Sequence, residues 1–210
     1  MQKAWQFFLE RYDLVWELIV EHIWLISFAI LIAIVVGVLL GILSSYYSSL
    51  ANVIIPFTQI TMTVPSIALM GLLIPLVGIG LPNAIICLVV YSLLAIVRNT
   101  YTGIKEIPSN IIEAAKGMGM TEQWVLFKVK IPLALPVIIA GIRSAVVMLV
   151  GIAAIMSFIG AGGLGDLIFR GIDRTRPDMI IVGAVFICIL SILLDFFFSR
   201  LEIYFAKKRA

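Results

Sequence analysis

Glu113, Ala114 and Ala115, followed by Gly117 and Gly119, form a group that combines a charge with small residues at close spacing inside a polar stretch. A carboxylate accepts charge-assisted hydrogen bonds, alanines let another surface approach closely, and glycine allows a sharp exit from a helix. That is chemistry for docking rather than for making bonds. Catalytic alternatives are thin, because the single histidine, His22, has no companion groups. Cys87 and Cys188 each sit in an apolar run with no second ligand at metal spacing, and both are expected to be packing residues. No metal and no bound cofactor are expected. Gly160, Gly162 and Gly165 spell the dinucleotide fingerprint G-x-G-x-x-G, but that motif follows a strand in a soluble unit. Here a long apolar run precedes it, so a tight turn at the outer membrane face is expected. No G-x-x-x-x-G-K-[ST] occurs, so the sequence contains no phosphate loop for ATP.

The elements that must position these residues are membrane spans. Hydrophobic residues make up 62% of the 210 and charged ones 13%, against roughly half and a quarter in soluble domains. A hydrocarbon core about 30 Å thick takes about 20 apolar helical residues to cross. Five stretches qualify: 23–43, 53–77, 83–97, 133–159 and 179–198, with Pro56, Pro65 and Pro75 punctuating the second. Kinks of that kind are tolerated where neighbouring helices satisfy the freed backbone groups. Residues 1–21 alternate polar and apolar at helical spacing and read as an interfacial helix, without the basic start and small-residue site of a cleaved signal. His22 and Trp24 then read as interfacial anchors. The chain is read as one all-α membrane domain, 22–201, between this segment and a basic tail, 202–210.

Lys and Arg enrichment sets the orientation. Arg98, Lys105, Lys116, Lys128 and Lys130 lie between spans three and four, and Arg200, Lys207, Lys208 and Arg209 in the tail, so both regions are expected to be cytoplasmic and the N-terminus outside. Arg170, Arg174 and Arg176, after span four, run against this rule. The net charge of +3 is dispersed, with no basic run interleaved with aromatics, so nucleic-acid binding has no footprint.

Polar residues inside the spans are the candidates for a solute route. Gln59, Thr63, Ser66 and Met70 recur at three- and four-residue spacing and are expected to share one helix face, either lining the route or hydrogen-bonding to neighbours. Asn99, with Thr100 and Tyr101, stands at the inner end of span three, where a gate role and a capping role are both open. Arg143 lies within span four, where a charge must face the bundle interior or water; a gate and a structural ion pair are both open, with Asp195 a possible partner.

Between Arg98 and Pro132 lies the long polar stretch that carries the docking residues. Pro108 with Ser109 or Asn110 starts a short helix, Asn110 and Glu113 have the spacing of reciprocal caps, and Gly117 and Gly119 end it. Thr121 caps a second helix running to Pro132. Glu113-Ala114-Ala115, then Gly119, then Val129-Lys130-Ile131-Pro132 after nine residues, resembles the signature of type I permease subunits of binding-protein-dependent ABC importers. The last element departs from that pattern by aliphatic swaps. The resemblance covers nearly the whole chain. It implies a coupling helix in the region 109–120 that docks on an ATP-binding subunit, two such ATPase subunits using the ATP, and a second permease subunit, identical or related. It also implies an extracytoplasmic solute-binding protein near the outer loop with Gly162, Gly163 and Gly165, and a bacterial or archaeal plasma membrane.

The segments RNTYTGI (98–104), IPLALPVIIAGIR (131–143) and FIGAGGLGD (158–166) resemble osmoprotectant permeases for glycine betaine, carnitine or choline. A permease for methionine or another small solute is the alternative within the family, and an ion-coupled secondary transporter the alternative outside it. The chain itself is expected to be a transport subunit, not an enzyme.

Overall fold

The computed structural model describes residues 2–207; Lys208 and Arg209 of the basic tail lie outside them. The described residues form helices and no strand: α1 Gln2–Glu10, α2 Tyr12–Tyr46, α3 Ser48–Thr63, α4 Ser66–Val77, α5 Leu81–Lys105, α6 Ser109–Gly117, α7 Glu122–Trp124, α8 Ile131–Met156, α9 Gly165–Asp173 and α10 Pro177–Lys207. A π-helical turn, Val125–Lys130, joins α7 to α8, and a 3-10 turn, Ser157–Ile159, follows α8. Helices α2, α5 and α10, together with the continuous stretch Glu122–Ile159, are long and apolar enough to cross a membrane. The bent pair α3–α4 reaches that length and apolarity only when its two halves are taken together.

Helix α5 is the centre of the bundle, held between α2 and α8 by glycines that let backbones close up. A Cβ on Gly41 of α2 would lie 2.5 Å from Thr100 Cβ, and one on Gly37 2.8 Å from Ile96 Cγ2. On the other side, a Cβ on Gly141 of α8 would lie 2.6 Å from Asn99 Cβ. Small residues four apart, as at Gly37 and Gly41, are the usual means of bringing membrane helices into contact, because lipid supplies no hydrophobic drive between them.

The second expected span is not one helix. It breaks at Val64–Pro65, and its halves meet at 105°. Pro65 lacks an N–H and holds Val64 extended (φ −73°, ψ 126°). The Tyr91 hydroxyl of α5 donates to the Val64 carbonyl that the break frees. Fully buried Asn83 ties down the far half, its Nδ2 donating to Met70 O at 3.1 Å and Gly78 O at 2.9 Å. Pro56 and Pro75 sit inside α3 and α4 without breaking them, so a proline alone does not set the bend.

The other boundaries shift outward. The expected interfacial helix 1–21 divides at Arg11: only α1 is separate, and Tyr12–Glu21 continues straight into the first span. The face carrying Val15, Leu18 and His22 is buried, which prolongs the span's packing surface past its apolar run. Helix α1 folds against the start of α10, with Phe8 on Phe186 (ring centroids 5.3 Å) and Arg176 over the Phe7 ring at 5.4 Å. Of the two cysteines, Cys87 packs in the core and Cys188 is exposed on α10.

Candidate functional site

At one end of the bundle, the chain leaves α5 after Lys105, turns through Ile107 and Pro108, and forms α6. Pro108 is extended (φ −54°, ψ 134°) and Ser109 is the first helical residue. The expected Asn110–Glu113 capping pair does not form, because Asn110 already lies inside the first turn, and no side chain caps this end.

The exit of α6 is defined by backbone bonds. Gly119 is left-handed (φ +86°), its N–H donates to Lys116 O at 2.9 Å, and Met120 N–H donates to Ala115 O at 3.2 Å. This 6→1 and 5→2 pair is the Schellman arrangement, which requires a residue at positive φ one place beyond the C-cap, here Met118. Gly119 therefore makes the turn, while Gly117 is the last residue of the helix itself.

Glu113 and Ala114 are exposed, but Ala115 is buried against the chain's own π-helical turn. Only one of the two alanines thus faces outward. Beside them Ile111, Ala114, Met118, Met120 and Val129 line an open notch of about 360 Å³. Met118 is 77% exposed at its rim. An apolar notch on a helix that also exposes a carboxylate is a surface suited to a protein partner.

Across the turn, Lys116 Nζ lies 2.5 Å from Glu122 Oε1, and that hydrogen bond raises the lysine above its ordinary value. Thr121 caps α7 as expected, its Oγ1 accepting from Trp124 N at 3.4 Å. The helix does not stop at Pro132, however. Ile131 N–H donates to Leu126 O, five residues back, so the chain runs on into α8. Pro132 cannot donate to Lys128 O, and its ring would crowd that carbonyl; the wide turn just before it relieves both problems. Lys130 fixes this end to α2, lying 4.4 Å over the Tyr46 ring.

Within the bundle the route candidates are dispersed. The bend at Pro65 separates Gln59 and Thr63 on α3 from Ser66 and Met70 on α4, so these four do not share a face. Gln59 and Thr63 are exposed, Ser66 half-buried and Met70 buried; Thr63 Oγ1 donates to Ile60 O at 2.7 Å. Asn99 donates to Ala95 O at 2.8 Å within its own helix and packs on Gly141, and Thr100 is buried against Gly41. Arg143 joins α8 to α10. Its Nε and Nη2 hold the two oxygens of Asp195 at 2.6 and 2.9 Å, and its Nη1 donates to Glu202 at 3.2 Å. Asp195 was visible in the sequence as a possible partner; Glu202 was not, although it stands two turns along the same helix face.

At the opposite end, the expected outer loop is a packed turn. Gly162 and Gly163 are left-handed (φ 79° and 84°), and Gly163, Leu164 and Gly165 are buried. Glu21 Oε2 accepts the Gly163 N–H at 2.9 Å, and Ser157 Oγ donates to Gly162 O at 2.6 Å. A Cβ on Gly165 would lie 2.0 Å from Ala154 O. The glycines are therefore needed for packing and cannot themselves form an open docking face. His22 is fully buried instead of anchoring at the interface, with Nε2 3.1 Å from Val150 O, whereas Trp24 is exposed and stacked on Phe28. Of the three arginines at this end, Arg170 pairs with Asp166 and Arg176 with Asp178.

Comparison with known proteins places this architecture. Residues 15–209 match the family model described as binding-protein-dependent transport system inner membrane component. A Bacillus subtilis glycine betaine/carnitine/choline transport system permease protein is 47% identical over 72% of this chain and 70% of its own length. An osmoprotectant import permease protein of Salmonella typhimurium is 43% identical over 90% of both chains. Among solved structures, the inward-facing MetNI methionine ABC transporter superposes with a TM-score of 0.79 at 26% identity, over 92% of this chain and 97% of that one. Four long apolar helices and the bent pair α3–α4, with a short helix held out between α5 and α8, and a match along nearly the whole length, place the chain in the family of binding-protein-dependent transport system inner membrane components, as a permease subunit of an ABC importer.

Proposed function

We propose that this permease subunit imports osmoprotectants of the quaternary ammonium type, such as glycine betaine, carnitine or choline. The relatives named for those solutes share 43–47% of residues with it, against 26% for the methionine transporter, which favours this reading over methionine. The observation that carries the transport mechanism is α6. A short helix with an exposed carboxylate, an apolar notch and a rigid glycine exit projects from the bundle, and among the described residues nothing covers it.

On this reading Glu113, Ala114, Gly117 and Gly119 dock on a separate ATP-binding subunit, with Ala115 supporting the helix from behind. Two such ATPases, a second permease subunit and an extracytoplasmic solute-binding protein complete the importer. The α6 end is cytoplasmic and the α1 end outside, with Arg170, Arg174 and Arg176 standing outside against the charge rule. ATP-driven closure moves α6 as a lever, and its packing on the π-helical turn, which runs on into α8, carries the motion into the bundle as rigid-body alternating access.

Uptake into liposomes that contain the assembled complex, ATP and the loaded binding protein, with no ion gradient, tests this. Accumulation of a quaternary ammonium solute is expected. A requirement for an ion gradient would refute ATP drive, and unchanged ATPase association in Gly119→Asp and Glu113→Lys would refute the docking assignment.

A further inference from the structure

Arg143, Asp195 and Glu202 carry one positive and two negative charges, so the cluster is net negative when both acids are ionised. The two acids are not equivalent. Asp195 gives both oxygens to the guanidinium, whereas Glu202 gives one, and more distantly at 3.2 Å. Among the described residues, Glu202 is thus the acid with an oxygen left over.

The cluster lines an open cavity of about 460 Å³ together with Ser144 and Met148 of α8. Side-chain exposure of 32–43% leaves all three groups accessible. Arg143 lies about 18 Å along α8 from its first residue, roughly half-way, so this accessibility falls at membrane depth. Accessible charges there are costly against lipid and belong on water or protein. The wall around them agrees: Ser191, Asp195, Ser199 and Glu202 recur at four, four and three residues and share one face of α10. The exposed apolar residues Leu193, Phe196 and Phe197 fall between those positions.

We infer that Glu202 is a specificity-determining residue, setting the sign of charge that the transport route admits beside Arg143. The inference rests on the transport reading above and deepens it. An unpaired Arg143 would repel a cation; with Asp195 neutralising it and Glu202 in excess, the wall attracts a trimethylammonium group.

The test uses the assembled complex in liposomes with ATP and saturating loaded binding protein, and compares choline, a cation, with glycine betaine, a zwitterion bearing the same headgroup. Glu202→Gln is expected to slow choline uptake about tenfold, as removal of one unit charge several ångströms from the solute in a partly wet site would. Glycine betaine uptake is expected to stay within about twofold, and Glu202→Asp to restore choline. Ser144→Lys, which leaves the three-residue cluster intact and adds a positive charge to the same wall, is expected to reproduce the choline defect. An equal fall for both solutes, or an unchanged ratio in both variants, overturns the inference. So does a wild-type complex that moves the zwitterion and rejects the cation. A wild-type complex that moves neither refutes the substrate reading, and the quaternary ammonium assignment of this wall with it.

Discussion

Gly117 and Gly119 offer a sharp test of how α6 is built, because they differ in one respect only. A Cβ on either meets nothing within 4 Å, so neither substitution creates a clash within the chain. Gly119, however, has φ +86°, while Gly117 has ordinary helical geometry. Placing a Cβ on a left-handed residue costs about 1–2 kcal/mol. Placing one on a helical glycine gains about 0.5–1 kcal/mol by restricting the unfolded chain.

Gly119→Ala should therefore loosen the exit and Gly117→Ala tighten it. If docking requires the formed exit, the Gly119→Ala cost appears as affinity about five- to thirtyfold weaker for the ATP-binding subunit. Amide exchange at Met118, Gly119 and Met120, whose N–H groups close the helix, reads the local effect; titration of the ATPase subunit reads the docking effect. Gly119→Asn should retain most of the wild-type behaviour, since Asn tolerates this conformation. Wild-type exchange and affinity in Gly119→Ala, or equal damage from Gly117→Ala, would refute the reasoning.

Four further outcomes are expected. Gly165→Ala should prevent correct packing of the outer turn, since its Cβ would lie 2.0 Å from Ala154 O; loss of the folded, assembled complex on size exclusion checks this. Tyr91→Phe should cost about 0.5–1.5 kcal/mol by leaving the Val64 carbonyl without its donor, seen as a lower midpoint in thermal unfolding. Asn83→Leu removes two donors to backbone carbonyls and should cost about 1–3 kcal/mol in the same assay. Thr175, a β-branched residue at φ 52°, ends α9, and Thr175→Gly should stabilise by about 1 kcal/mol, seen as a raised midpoint.

Local features were legible in the sequence and tertiary ones were not. The spans and α6 follow from composition, Pro108 and Gly119, all of which act over a few residues. Which of two nearby glycines makes the turn was not legible, because either is compatible with a helix end until the hydrogen-bond register is seen. The break at Pro65 was marked by a proline, as were Pro56 and Pro75, which break nothing. The difference lies in Tyr91 and Asn83, contributed by another helix. Arg143 announced itself as a charge in an apolar run, but Glu202 looked like part of a polar tail. Gly162 and Gly163 signalled a turn, yet its burial depends on Glu21 and His22, far away in sequence.

That last separation bears on how the protein is made. Glu21 and Gly163 are 142 residues apart, so at about 5–20 residues per second the N-terminal helix waits roughly 7–30 s for its partner to be synthesised. Throughout that time the carboxylate that ends up holding the turn has nothing to hold. A nascent chain halted before the turn leaves this carboxylate unmatched, and only a ribosome that has passed the turn can deliver the backbone N–H that pairs with it. The clamp thus records that synthesis has passed α8 and the turn beyond it.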